Sequence, residues 1–171
     1  MRIVSQADQP FSKSEIKAYL RLSDDQTAED SVVMSMAASA VAWYESATGV
    51  FLRTTMLQHT FAESPVAFVY RPFQALEQAL DSSGLDRKAS VEVDEMAGGG
   101  AALTWDTTEL GELTISVKVG YAKRTDVPDT AAQAIRALVA DMYVNREYLN
   151  GNRMPSSVSA AMLLGESRHS V

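Results

Sequence analysis

Covalent or acid–base chemistry needs a nucleophile, a tuned proton carrier or a cluster of metal ligands, and few residues of this chain could supply one. The 171 residues include no Cys and two His, His59 and His169. Disulfides, thiolate catalysis and Cys-ligated zinc or iron–sulfur sites are therefore excluded. No G-x-S-x-G is present, His59 lies within a strand-like run, and His169 lies close to the end of the sequence, so neither stands beside an evident nucleophile. The carboxylate pairs Asp24-Asp25, Glu29-Asp30 and Asp94-Glu95 lack both EF-hand and H-E-x-x-H spacing and read as solvated loop or cap charge. An enzyme would have to rely on Asp94, Glu95 and His59. Gly98-Gly99-Gly100 precedes a strand, with no Lys-Ser or Lys-Thr after it, which makes it a hairpin tip and not a phosphate cradle. The expectation is a chain with no catalytic residues, no metal site and no cofactor.

Bulk composition agrees with a binding or structural protein. Lys and Arg total 15 against 22 Asp and Glu, for a formal net charge of -7 and a pI near 4.8, which opposes whole-surface attraction to nucleic acid or anionic lipid. Lys123-Arg124 and Arg87-Lys88 are the only adjacent basic pairs, too few for a footprint of several phosphates. The acid is uneven: residues 1–120 carry 9 basic and 17 acidic groups, and residues 121–171 carry 6 and 5. The first ten residues contain no apolar signal-like core and no run approaches about 18 apolar residues, so the expected compartment is cytoplasm-like and no membrane partner is expected.

These features must be carried by a small set of elements. Ser12-Lys13-Ser14-Glu15 reads as a capping box opening a short helix over about 13–22. An acid-led second helix spans about 27–48, with Val33, Met36, Ala37, Ala40, Val41, Tyr44 and Ala47 at helical spacing and Thr48-Gly49 as its end. From 51 to 121 the period shortens to two, around Leu57, His59 and Phe61, then Val66–Tyr70, Ser90–Val93, Ala102–Trp105 and Leu113–Val119, giving a small antiparallel sheet. Phe73–Leu80 stays open, because Phe73, Leu76 and Leu80 also fit a helical face. Asp126-Val127-Pro128 starts a third helix over about 128–149, with Asp126 as cap and Ile135, Leu138, Val139, Met142 and Tyr143 as its buried stripe. The fold class is α+β: two long helices and a short one packed with a small antiparallel sheet, in a single body over 1–151, followed by an extended tail over 152–171. Trp43, beside Tyr44 on the second helix, is either an edge of the core or an exposed anchor for another chain.

Taken in order, Ile16-Lys17-Ala18-Tyr19-Leu20-Arg21, Tyr44-Glu45-Ser46-Ala47-Thr48-Gly49, Arg71-Pro72, Val119-Gly120-Tyr121, Val127-Pro128 and the run Ala134 to Glu147 form a combination more specific than any of its parts. It resembles the head–tail connector (adaptor) family of tailed bacteriophages and related gene transfer agents, over roughly Ser14 to Glu147. The resemblance implies a non-enzymatic virion protein, assembled in the host cytoplasm. Such a protein docks as a ring, usually of twelve copies, beneath the portal and carries the tail or stopper protein. DNA passes through its lumen without sequence-specific binding. It also implies that the tail reaches into the portal, with Arg153, Met154, Val158, Met162, Leu163, Leu164 and Arg168 as portal-binding residues, and it makes Trp43 and Arg146 candidates for contacts between neighbouring subunits. Phe73–Leu80 is more helix-like than the strand that family has there, and Ala97–Ala101 is unusually rich in Gly. A small acidic regulatory or antitoxin-like binding module would account equally for charge and tail, but not for the ordered motifs.

Overall fold

Leu57 is fully buried while Met56 and Gln58 on either side of it are partly exposed, the alternation of a half-buried strand, and most of the segment after the second helix is built this way. The computed structural model describes residues 1–145. In chain order the elements are β1 (Arg2–Gln6), α1 (Lys13–Tyr19), α2 (Asp30–Thr48), β2 (Thr55–Phe61), β3 (Val66–Phe68), β4 (Phe73–Leu80), β5 (Glu92–Glu95), β6 (Ala101–Thr104), α3 (Thr107–Leu110), β7 (Leu113–Val119) and α4 (Asp129–Val144). The α+β class holds. The chain divides into two compact units.

The first unit comprises 1–8 and 49–122. It contains two antiparallel sheets where the sequence suggested one, a four-stranded sheet in the order β1-β2-β7-β4 and a three-stranded sheet in the order β3-β6-β5. Leu57, Leu76, Leu103, Trp105, Leu113, Ile115 and Val117 share one core. Central β7 is the most deeply buried strand, consistent with its continuous Leu-Thr-Ile-Ser-Val-Lys-Val pattern. The open question at Phe73–Leu80 is settled as strand, and its helix-like spacing has a local cause. The pairing with β7 slips between Leu76 and Gln78, so the buried residues are Leu76 and Ala79, three apart instead of two. β1 lies outside the range assigned to strands, and all five of its residues are exposed. α3 is a single helical turn capped by Asp106, whose carboxylate accepts from the Thr108 N–H at 2.8 Å.

The second unit comprises 9–48 and the chain from 123 onward. α2 packs on α4, and α1 on both, burying Val33, Ala37, Ala40, Val41 and Tyr44 of α2 with Ile135, Leu138 and Val139 of α4. Each helix is shorter than its sequence pattern. α1 stops at Tyr19 because Arg21 turns left-handed at φ 58°, letting Arg21 N–H reach Ala18 O and Leu22 N–H reach Lys17 O, a Schellman closure. α2 begins at Asp30, since Thr27–Glu29 form a turn. α4 begins at Asp129 with Pro128 in the cap position and no side-chain cap bond. Asp126 therefore is not the cap: it ends the preceding short 3-10 turn, where its carboxylate accepts from the Thr125 hydroxyl. The helix ends at Val144 with Asn145 as its C-cap, short of the expected 149.

Candidate functional site

The residues singled out for chemistry do not converge. His59 is exposed on β2, edge-on to Phe61 at 4.6 Å between ring centres, whereas Asp94 and Glu95 are exposed on β5 of the other sheet. Among the described residues no three His, Asp or Glu side chains are grouped to hold a metal ion, and no helix is long and apolar enough to cross a membrane. Gly98–Gly100 forms the β5–β6 hairpin tip, closed by Met96 N–H to Gly100 O at 2.9 Å. A Cβ on Gly100 would stand 2.6 Å from Phe68 O, so close backbone approach explains that glycine without a ligand.

Three of the ordered motifs meet, at Gly49, Arg71-Pro72 and Gly120, in structural joints within the first unit. Arg71 N–H donates to Gly49 O at 3.0 Å, and Phe51 N–H donates to Arg71 O at 2.8 Å. Gly120 N–H donates to Pro72 O at 2.8 Å, and its carbonyl accepts from the Gln74 amide. Gly120 has φ 95°, and a Cβ there would lie 2.0 Å from Arg53 O. The Gly-Tyr and Arg-Pro pairs thus tie the starts of β2 and β4 to the end of β7.

Within the second unit, polar side chains form two clusters that sequence reading missed. Ser12 caps α1 as expected, its hydroxyl accepting from the Glu15 N–H at 3.2 Å. The Glu15 carboxylate does not return to the cap, however. Its Oε1 accepts from Arg124 at 2.6 Å and from Arg136 at 2.5 Å, and the Arg124 guanidinium stacks 4.6 Å over the Phe11 ring. Burial alone would raise the Glu15 carboxyl, but the two guanidiniums outweigh it and hold it below its usual value. The second cluster surrounds Lys17, which is 1% exposed. Its ammonium donates to Asp24 O at 3.1 Å, Gln26 O at 2.9 Å and Asp30 Oδ1 at 2.9 Å, and Lys13 holds the other Asp30 oxygen at 2.6 Å. These bonds from Lys13 and Lys17 keep the Asp30 carboxyl below its usual range. No spacing rule announces such pairs; Ile16-Lys17 inside an apolar helix face was the available signal.

Beside this cluster lies a groove of about 510 Å³ lined by Leu22, Asp25–Asp30, Val33 and Tyr143. The Tyr143 hydroxyl donates to Glu29 at 2.6 Å, linking the end of α4 to the turn before α2. Its lining mixes carboxylates and hydroxyls with a few apolar groups. Trp43 is half-buried on α2, beside the buried stripe. Arg146 and the tail residues Arg153, Met154, Val158, Met162, Leu163, Leu164 and Arg168 lie outside the described residues.

No family model matches the sequence, and no curated protein does either. The fold is nevertheless found among solved structures. It is similar to a chain in the neck of an empty gene transfer agent (GTA) particle computed with C6 symmetry, at 22% identity and a TM-score of 0.75, covering 97% of this chain and 95% of that one. A chain in the virion of a native GTA particle matches at 20% identity and a TM-score of 0.74, over 96% of this chain and 93% of the other. A third, in the neck of a native GTA particle computed with C12 symmetry, matches at 18% identity and a TM-score of 0.66, over 97% and 94%.

Proposed function

We propose that this protein is a structural head–tail connector of the adaptor type, from a tailed phage or gene transfer agent, and that it is not an enzyme. The observation that carries the reading is the near-full-length likeness to chains of GTA necks solved with six-fold and twelve-fold symmetry. The order of the sequence motifs supports it as well, and Gly49, Arg71-Pro72 and Gly120 among them occupy joints of the first unit. In this reading twelve copies form a ring under the portal, at the head–tail interface of the virion, and present the opposite face to a tail or stopper protein. The segment 152–171 reaches into the portal through Arg153, Met154, Val158, Met162, Leu163, Leu164 and Arg168. Trp43 and Arg146 lie between neighbouring subunits. DNA runs through the lumen without sequence-specific contacts, and a net charge of -7 per copy repels phosphate, so the duplex slides.

In this reading the body over 1–151 folds without the tail, which makes truncation the direct test. Removing residues 154–171 is expected to leave the melting curve of the body unchanged and to abolish co-sedimentation with purified portal from the same genome. Normal portal binding by the truncated chain would remove the docking role of the tail. Failure of the full chain to bind portal at any concentration would favour a small regulatory binding module.

A further inference from the structure

The two sheets of the first unit have four edges, and they are treated unequally. The outer edge of β4 is closed by its own chain: Asp86 accepts from the Ala79 N–H at 3.1 Å, and Arg87 N–H donates to Ala79 O at 2.6 Å. Asp81 holds that loop by accepting from Ser83, Leu85 and Arg87. β3 is only three residues long. The remaining edges, β1 and β5, have strand neighbours on one side only and are exposed at every residue.

β1 carries Ile3 at 51% and Val4 at 49% exposure. β1 bulges at Val4, the residue that the pairing with β2 skips between Ile3 and Ser5, and both Ile3 and Val4 leave apolar surface in water. An edge of this kind is a template for another chain where charge or bulges do not blunt it; the bulge in β1 is confined to Val4, with regular pairing on either side of it. β5 is complementary to it. It offers exposed Val93 beside Glu92, Asp94 and Glu95, with exposed Met96 just past its end. Two copies of β5 side by side would oppose six carboxylates, which disfavours self-pairing. Against β1 the same acids meet Arg2, and Val93 and Met96 meet Ile3 and Val4.

We infer that β1 of one copy adds to the β5 edge of the next, joining the four-stranded sheet of one subunit to the three-stranded sheet of its neighbour. A contact between two different patches is heterologous, and its repetition closes a ring when the rotation allows. The inference rests on the ring reading above and assigns its subunit contact.

The absence of Cys permits a clean test by cross-linking in rings assembled on portal. Ile3→Cys or Val4→Cys is combined with Val93→Cys or Glu95→Cys in one chain, the four pairings sampling strand register, and the rings are mildly oxidised. At least one pairing should give a ladder of covalent multimers on non-reducing gels. Mixing a chain bearing only the β1 cysteine with one bearing only the β5 cysteine should stop at dimers. Rings visible by electron microscopy with no ladder in any pairing would overturn the strand contact and leave the ring intact. Dimers formed equally well by the β1 cysteine alone would replace it with a two-fold contact. Monomers throughout, with no rings on portal, would overturn both readings.

Discussion

At the scale of single residues, the groups that matter most are polar ones placed where the sequence pattern predicts only packing. Lys17 neutralises a turn from inside: Lys17→Met would leave two backbone carbonyls without their donor and is expected to cost about 2–4 kcal/mol, measurable as a lowered urea midpoint. Glu15 gives a pH signature. Its carboxyl is held below the ordinary value of 4.5, so the folded state binds that proton less readily than the unfolded chain does. The associated stability is fully present above pH 4.5 and is lost as the pH falls below it. Glu15→Gln should flatten the acid limb of stability against pH; an unchanged limb would show that the Arg124 and Arg136 bonds contribute nothing. Gly120 and Gly84 form a controlled pair, since both have positive φ, but only Gly120 has an atom in the way of a Cβ. Gly84→Ala should cost about 1–2 kcal/mol, whereas Gly120→Ala should cost about 3 kcal/mol or more through strain plus displacement of Arg53. The Ser12 cap was legible because its partner lies three residues away. The Glu15 bridges were not, because their partners lie 109 and 121 residues away.

At the scale of elements, legibility followed periodicity. α2 and α4 bury one continuous stripe each, and both were located from spacing alone, although their ends moved where turn geometry intervened. Leu138 is 1% exposed at the centre of the α4 stripe, so Leu138→Ala should lower stability by about 2–5 kcal/mol; an unchanged melting temperature would contradict that packing. β4 was ambiguous for a definite reason: one bulge converted a two-residue alternation into a three-residue one and so imitated a helix. β1 escaped notice for the opposite reason. It buries neither face, and a strand without a buried face leaves no alternation to read. The division of the strands into two sheets was equally hidden, because pairing between distant segments is not written in local pattern.

At the scale of the whole molecule, the sequence predicted an α+β chain, and the fold matched that class. The site was less legible than the fold. Interaction surfaces carry no required residue type at fixed spacing, and Trp43 alone stood out by identity. The chain shares its fold with chains of GTA necks, and the proposed reading is a ring-forming connector seated on a portal. The measurement that tests this most directly is electron-microscope imaging, with particle mass, of the full chain mixed with purified portal from the same genome. The account predicts a ring stacked coaxially on the portal, absent when residues 154–171 are removed. Portal particles of unchanged mass, with this chain remaining free at high concentration, would contradict it.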